Sequence, residues 1–247
     1  MPTYNDYGIV LNSYNFAEAD KIFNIYTREN GLVRGLGKSV RKSGSKFGGR
    51  LDQLSCCNFQ FAYGKNLDRI CDCKQINSFP LLRADLARLT YGVLFLEVVS
   101  SFAHEKESES HFIYDLLYSS LDKLQVAGNP ELFSIKFILE FLSIHGFSAQ
   151  VNTCVSCSTS LQPPASSLQP LTASLKYFYS SALGGLLCAE CAHLIDHKLV
   201  DIEVLKVIQK YETKSNEHIH LALDLLREHI DIRAKSKIKS FDLVFSL

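Results

Sequence analysis

Apolar and polar positions alternate through the first 79 residues. Segments around 7–14, 19–28, 32–40, 51–63 and 67–76 are rich in Tyr, Phe, Val, Ile and Cys. Between them lie turn-forming stretches: Asn15-Phe16-Ala17-Glu18, Asn30-Gly31, the Ser/Gly run 43–49 and Gly64-Lys65-Asn66. Asn30-Gly31 predicts a two-residue hairpin turn. Five short antiparallel strands in this length predict a small barrel of the OB type.

After Pro80 the period lengthens. Leu82, Leu86, Leu89, Val93 and Leu96 recur at helical spacing, predicting a helix over about 80–103 with Pro80 in its first turn. Further helices are predicted over about 110–126 and from Asn129-Pro130 to Gly146. The latter carries Phe133, Phe137 and Phe141 among other apolar residues and reads as a buried helix. Beyond it, Ile202, Leu205, Ile208 and Tyr211, then Ile219, Leu223, Leu226 and Ile230, mark two amphipathic helices. The fold class expected is α+β: an OB-fold barrel over residues 1–79, then a helical domain over 80–247 with a metal-binding insertion around 150–195. There is no internal repeat.

That insertion carries the sharpest chemical signal. Cys154-x-x-Cys157 and Cys188-x-x-Cys191 are two matched pairs, each spaced so that both sulfurs of one turn can face a single ion. Four thiolates close a tetrahedral shell, so the expected metal is a structural zinc. The 30 residues between the pairs include Pro163, Pro164 and Pro170 and read as an extended excursion. His193 and His197 lie near enough in sequence to replace one cysteine, but four sulfurs fit better. Cys56, Cys57, Cys71 and Cys73 fall in strand-like segments, as small buried hydrophobes do.

Composition is that of a globular chain: 247 residues, 47% hydrophobic and 21% charged. No run of 18 apolar residues occurs, because Glu97 interrupts the most hydrophobic stretch, and the first residues lack a basic segment followed by an apolar one. A cytoplasmic protein with no membrane contact is expected, and its cysteines fit a reducing compartment.

Lysine plus arginine equals aspartate plus glutamate, 26 each, yet the charge is unevenly placed. Between residues 28 and 50 stand Arg28, Arg34, Lys38, Arg41, Lys42, Lys46 and Arg50 against Glu29 alone. A neutral chain with one strongly basic segment points to a polyanion contact. The Gly-Leu-Gly-Lys38-Ser39 sequence looks like a phosphate-binding loop, but Leu32 stands where that motif needs its first glycine. Arg34, Lys38, Arg41, Lys42, Lys46 and Arg50 are therefore candidate contacts to nucleic-acid phosphates, with Phe47 a candidate stacking ring. A smaller basic group is Arg233, Lys235, Lys237 and Lys239.

Three stretches carry a family resemblance: Gly31 to Arg50 with its basic residues, Ser78-Phe79-Pro80-Leu81-Leu82-Arg83 at the barrel-to-helix junction, and Gly184-Gly185-Leu186-Leu187-Cys188-Ala189-Glu190-Cys191. In this order the chain resembles the RecO family of bacterial recombination mediators. Residues 158–176 match nothing in that pattern. The resemblance implies a non-enzymatic protein that binds single- and double-stranded DNA, anneals complementary strands and assists RecA loading. The partners it implies are RecR and the C-terminal tail of single-strand-binding protein. For that tail's carboxylate the helices offer Lys136, Arg83 and Arg88. Two other classes stay open: a zinc-ribbon nuclease, against which Asp68, Asp72, Asp85 and Asp201 are scattered without a metal-ligand pattern, and an interaction scaffold without DNA contact.

Overall fold

In the computed structural model, residues 2–161, 176–211, 213 and 215–246 are described. Five strands, β1 (Thr3–Asn15), β2 (Lys21–Thr27), β3 (Gly31–Gly37), β4 (Cys56–Ala62) and β5 (Asp68–Asn77), close into a barrel in the order β1-β2-β3-β5-β4. β1 is long enough to pair with β4 through Thr3–Ile9 and with β2 through Gly8–Asn15. A bulge between Val10 and Asn12 supplies the bend this requires. The last seam is a short parallel pairing, Gly35 with Asp68 and Leu36 with Arg69. A Cβ at Gly35 would come within 2.8 Å of Ile70, so glycine permits the approach.

Two-residue periodicity turns Phe23 with Ile25, and Phe59 with Phe61, into the barrel, where they meet Val10, Val33 and Ile70. The β2–β3 connection differs from the expected two-residue turn. Arg28, Glu29 and Asn30 form a three-residue loop, and Gly31 follows at φ +65. The buried carboxylate of Asp6 selects this geometry by accepting from the Glu29 amide at 3.2 Å and from Asn30 Nδ2 at 2.8 Å.

The basic segment after β3 ends in a short 3-10 helix, Gly48–Leu51. Phe47, expected to stack on a base, is instead 1% exposed and packs with Leu51 in the barrel's interior cluster. A large ring beside an apolar cluster gains more from burial than from solvent.

The expected 80–103 helix is two: α1 (Pro80–Ala84) and α2 (Leu86–Phe102). Asp85 between them is extended and accepts the Arg88 amide at 3.1 Å, so its capping preference wins over helical continuity. Leu86, placed on the apolar stripe by sequence, is 72% exposed, and α2 is buried around nearly its whole circumference beyond that first turn. α3 (Ser110–Leu124) follows.

Strands give way to helices at residue 80, but contacts divide the chain elsewhere: residues 1–130 with 237–247 form one compact unit and 131–236 another. The reason is that α2 and α3 pack on barrel strands. The second unit holds α4 (Pro130–Ile144), β6 (Lys176–Ser180), β7 (Gly185–Leu187), α5 (Ala189–Ala192), β8 (Lys198–Asp201), α6 (Ile202–Lys210) and α7 (Asn216–Asp231). Its three strands form an antiparallel sheet in the order β7-β6-β8. α6 and α7 bury Leu205, Ile208, Ile219, Leu223, Leu226 and Ile230, as their stripes predict, but Ile202 at the start of α6 is only half-buried and Tyr211 is exposed because it is the left-handed residue that ends α6. The proline-containing excursion expected between the cysteine pairs lies at 162–175, outside the described residues. α8 (Ser240–Val244) returns to the first unit, where Glu97 of α2 accepts from the Ser240 amide at 2.8 Å and its hydroxyl at 2.9 Å.

His229 of α7 is fully buried. Its Nε2 faces the Phe147 carbonyl at 2.8 Å, which can only accept, so Nδ1 accepts from the Tyr179 hydroxyl at 2.9 Å. Burial, reinforced by the Arg233 charge, holds this imidazole down to about 4, against the Phe147 carbonyl's opposing effect.

Two outcomes follow from this architecture. Phe47→Ala opens a cavity inside the barrel and is expected to lower unfolding stability by about 3–5 kcal/mol, measured by chemical denaturation. For His229, the unfolded chain takes a proton near pH 6.5 that the folded protein refuses until about 4. This contribution is intact above pH 6.5 and is lost as pH falls, reaching roughly 3 kcal/mol at pH 4. Stability measured across this range should fall less steeply in His229→Asn than in the wild type.

Candidate metal centre and nucleic-acid interface

The first cysteine pair sits on a tight turn that backbone bonds fix in place. The Cys154 amide donates to the Thr159 carbonyl at 2.8 Å, and the Ser158 amide to the Cys154 carbonyl at 2.9 Å. Ser158 is at φ +62, which turns the chain back after Cys157. The Val155 amide donates to Leu186 of β7 at 2.9 Å, tying this turn to the strand that leads into the second pair. Cys188 then precedes α5, and Cys191 lies within it. One turn and one helix start are thereby brought face to face.

The result is four sulfurs all within 4.8 Å of one another. Cys157 and Cys188 are 3.6 Å apart, far beyond the roughly 2.05 Å of a disulfide and close to the ~3.8 Å edge of a tetrahedron with metal–sulfur bonds of about 2.3 Å. Cys154 is buried with Leu187 and Ala192 in a small apolar cluster, while Cys157 is exposed. Burial opposes ionisation of Cys154, but the amides of Cys157, Cys188 and Ser156 outweigh it and pull the thiol down to about 6. The Thr159 hydroxyl, 3.2 Å from Cys157, lowers that thiol as well. At Cys191 the Ser156 hydroxyl favours the thiolate, yet Cys188, burial and the other two sulfurs push it up to about 12. Four thiols this close cannot all ionise without a cation among them. The donor set fits a metal ion, and the four cysteines could hold one.

Among the described residues this is the one group of three or more potential metal ligands. His193 and His197 lie outside it; His197 bonds the Ile195 carbonyl at 2.9 Å and meets the Phe178 ring edge-on. Of the other cysteines, Cys57 and Cys73 pack inside the barrel and Cys56 bonds the Tyr114 hydroxyl at 3.3 Å. The acidic residues weighed for a nuclease are apart and mostly used locally: Asp68 accepts from the Tyr4 hydroxyl at 2.5 Å, and Asp85 and Asp201 cap α2 and α6.

The basic segment is folded onto the barrel by its own cations. Arg41 donates to the Ala17 and Glu18 carbonyls of the β1–β2 turn at 3.4 and 3.0 Å. Lys46 reaches the Cys71 carbonyl, and Arg50 donates to the Cys73 carbonyl at 3.0 Å, so both grip β5. Arg34 projects from β3 and donates to the Tyr14 hydroxyl at 2.9 Å. Lys38 and Lys42 are exposed, and their ammonium groups make no hydrogen bond or ion pair among the described residues. Arg28, counted in the segment's charge, makes two bonds to Asp115 at 3.0 and 3.1 Å. With these bonds made, Arg34, Arg41 and Lys46 remain exposed and Arg50 is half-buried. Sequence reasoning missed this anchoring because carbonyl acceptors carry no sequence signal.

The helical cations are similarly engaged. Arg83 donates to the Ser78 and Gln53 carbonyls, and Arg88 to those of Leu124 and Ala127, closing the end of α3. Lys136 pairs loosely with Glu140 at 3.9 Å and lies over the Tyr211 ring. None of the described helices is long and apolar enough to cross a membrane.

Comparison with known proteins agrees with this layout. Residues 1–79 match the family description "Recombination protein O N terminal", and residues 83–241 match "Recombination protein O C terminal". The protein named DNA repair protein RecO from Rubrobacter xylanophilus is 30% identical, over 77% of this chain and 72% of its own. Proteins of the same name from Bifidobacterium adolescentis and Dehalococcoides mccartyi are each 29% identical, the latter over 88% of this chain and 85% of its own. With both halves matched in order around a closed barrel and a four-cysteine cluster, the chain belongs to the RecO family of DNA repair proteins.

Proposed function

We infer that this protein is a non-enzymatic recombination mediator: it binds single- and double-stranded DNA, anneals complementary strands and, with RecR and single-strand-binding protein, assists RecA loading in the cytoplasm. The observation that carries the DNA-binding part is the basic edge of the barrel, where Lys38 and Lys42 stand free beside cations that tie their loop down. Annealing needs a surface that offsets repulsion between two phosphate chains and leaves bases free to pair, and charge without base readout meets that need. In this reading residues 1–79 are the DNA-binding domain, and 80–247 supply the metal-stapled helical part and partner contacts. The metal is zinc, held by Cys154, Cys157, Cys188 and Cys191 in a closed shell, and its role is structural. The acidic, apolar tail of single-strand-binding protein would dock on the helical part, where a groove and a cation can occur together.

The nucleic-acid reading is checked by salt dependence. Reversing Lys38 and Lys42 to Glu removes two phosphate partners and is expected to flatten the slope of log affinity against log salt by about 1.4 for single strands. Binding and slope that match the wild type would exclude this edge. The metal reading is checked by elemental analysis: about one zinc per chain is expected, lost in Cys188→Ser together with stability of the 131–236 unit. Protein purified without chelators and free of zinc would refute it.

A further inference from the structure

The burial of Phe47 leaves the basic edge without the ring that sequence assigned to it, and other rings stand close by. Tyr14 at the end of β1 is 42% exposed and Phe16 on the β1–β2 turn is 58% exposed. Large aromatic surface at an exposed site is held there against the hydrophobic effect, and the Tyr14 ring is fixed in orientation. The Tyr14 hydroxyl accepts from Arg34, whose strand lies across β2 from β1. Phe16 sits on the turn that Arg41 grips. On its other side Arg34 lines a cleft of about 250 Å³ whose walls include Tyr63, Lys65 and Asn66 from the β4–β5 connection. Tyr63 is 51% exposed and is held at a ring-centroid distance of 4.6 Å from Tyr4. Two acids line that cleft against Arg34, Lys65 and Lys106: Asp68, occupied by the Tyr4 hydroxyl and by the Gly64 amide at 2.9 Å, and Glu105.

Next to these rings, part of the outer face of β1 and β2 is taken by the helices. Asn12 donates to Ser100 of α2 at 3.4 Å, and Tyr26 bonds Glu107 at 2.9 Å. The β1/β4/β5 face around Asn5, Gln60, Asp72 and Lys74 is open as well but carries few rings, whereas an open rim with rings and cations together runs from Phe16 through Tyr14 and Arg34 to the Tyr63 cleft, bordered by the ammonium groups of Lys38 and Lys42. Rings alternating with cations fit one ligand chemistry: unpaired nucleobases joined by phosphates. Bases in a duplex are stacked on each other and cannot present a face to such rings.

We propose that this rim is a base-stacking site for single-stranded DNA, with Tyr14, Phe16 and Tyr63 taking base faces and Arg34 placing the Tyr14 ring. The inference rests on the DNA-binding reading above and adds a division of labour: Lys38 and Lys42 serve strands and duplex alike, and the rings serve only unpaired bases.

The test compares oligothymidine with a duplex of equal length on the full chain. Tyr14→Leu with Phe16→Leu should weaken single-strand binding by roughly tenfold or more, leaving duplex affinity within about twofold and the salt slope unchanged. Tyr14→Phe keeps the ring but loses the Arg34 bond that places it, and should lose single-strand affinity by a smaller factor than Tyr14→Leu. Tyr63→Leu, made separately because Tyr63 also stacks on Tyr4, should reproduce the single-strand loss. In the wild type, a 2-aminopurine within the bound single strand should lose fluorescence through stacking. Equal losses on strand and duplex, no loss on either, or an unquenched 2-aminopurine would each overturn the stacking site while leaving phosphate binding in place. Variants that bind DNA normally and lose affinity for single-strand-binding protein would give the rim to a protein partner and also overturn it. A wild type that binds neither DNA at low salt would remove the DNA-binding reading itself.

Discussion

The N-terminal unit depends on the closing of one seam. β3 and β5 are parallel neighbours joined over only two register positions, and they meet because Gly35 presents no side chain toward Ile70. Without that approach the five strands would form an open sheet with two unpaired edges, and Phe23, Phe59 and Phe61 would lose the enclosed interior they fill. Closure also decides the fate of the basic segment. A filled barrel offers Phe47 and Leu51 an apolar cluster to join, and their burial draws residues 38–50 down onto the strands. The cations then reach strand and turn carbonyls that an open sheet would not place within range.

The second unit rests on a different economy of contacts. Its sheet has only three short strands, and the cysteine turns add little apolar area beyond Cys154, Leu187 and Ala192. Around the cysteine turns burial contributes little, and an ion held by the four sulfurs could supply what burial does not. The opposed pulls on Cys154 and Cys191 express the same fact electrostatically: the backbone is arranged to favour thiolate, and the sulfurs resist sharing that charge until a cation is present. His229 is the counterpart on α7, a polar group made safe by two partners and kept neutral by its burial.

Much of this was legible in the sequence, and the failures have specific causes. The barrel strands were readable because Phe23/Ile25 and Phe59/Phe61 alternate cleanly, and the α6 and α7 stripes because each has a wet face. α2 was misread at Leu86: a helix buried almost all round has no meaningful stripe, so periodicity located the helix but not its contacts. The loop at 28–30 was missed because its Asp6 acceptor lies across the chain, where local pattern is silent; the Asp85 cap is local to Arg88 but was overridden in the reading by Leu82 and Leu86, which continue the apolar period across it. Strands β6, β7 and β8 were missed because three to five residues are too few for a period to declare itself. The four-cysteine cluster was visible because its constraint is local spacing within each pair. The anchoring of the cations was invisible because their partners are carbonyls, which every residue carries.

The return of α8 to the first unit sets an order of events during synthesis. Residues 131–236 are an insertion within the first unit, tied to it at both ends of the chain segment. A ribosome releases the barrel, α1, α2 and α3 early, but Glu97 waits for Ser240, 143 residues further along the chain. Through that interval the surface of α2 that α8 will cover is open, and the inserted unit has all its residues before its host is complete. A stalled or truncated chain would therefore carry a formed barrel with an uncovered apolar helix, a state that quality-control machinery can distinguish from the finished protein.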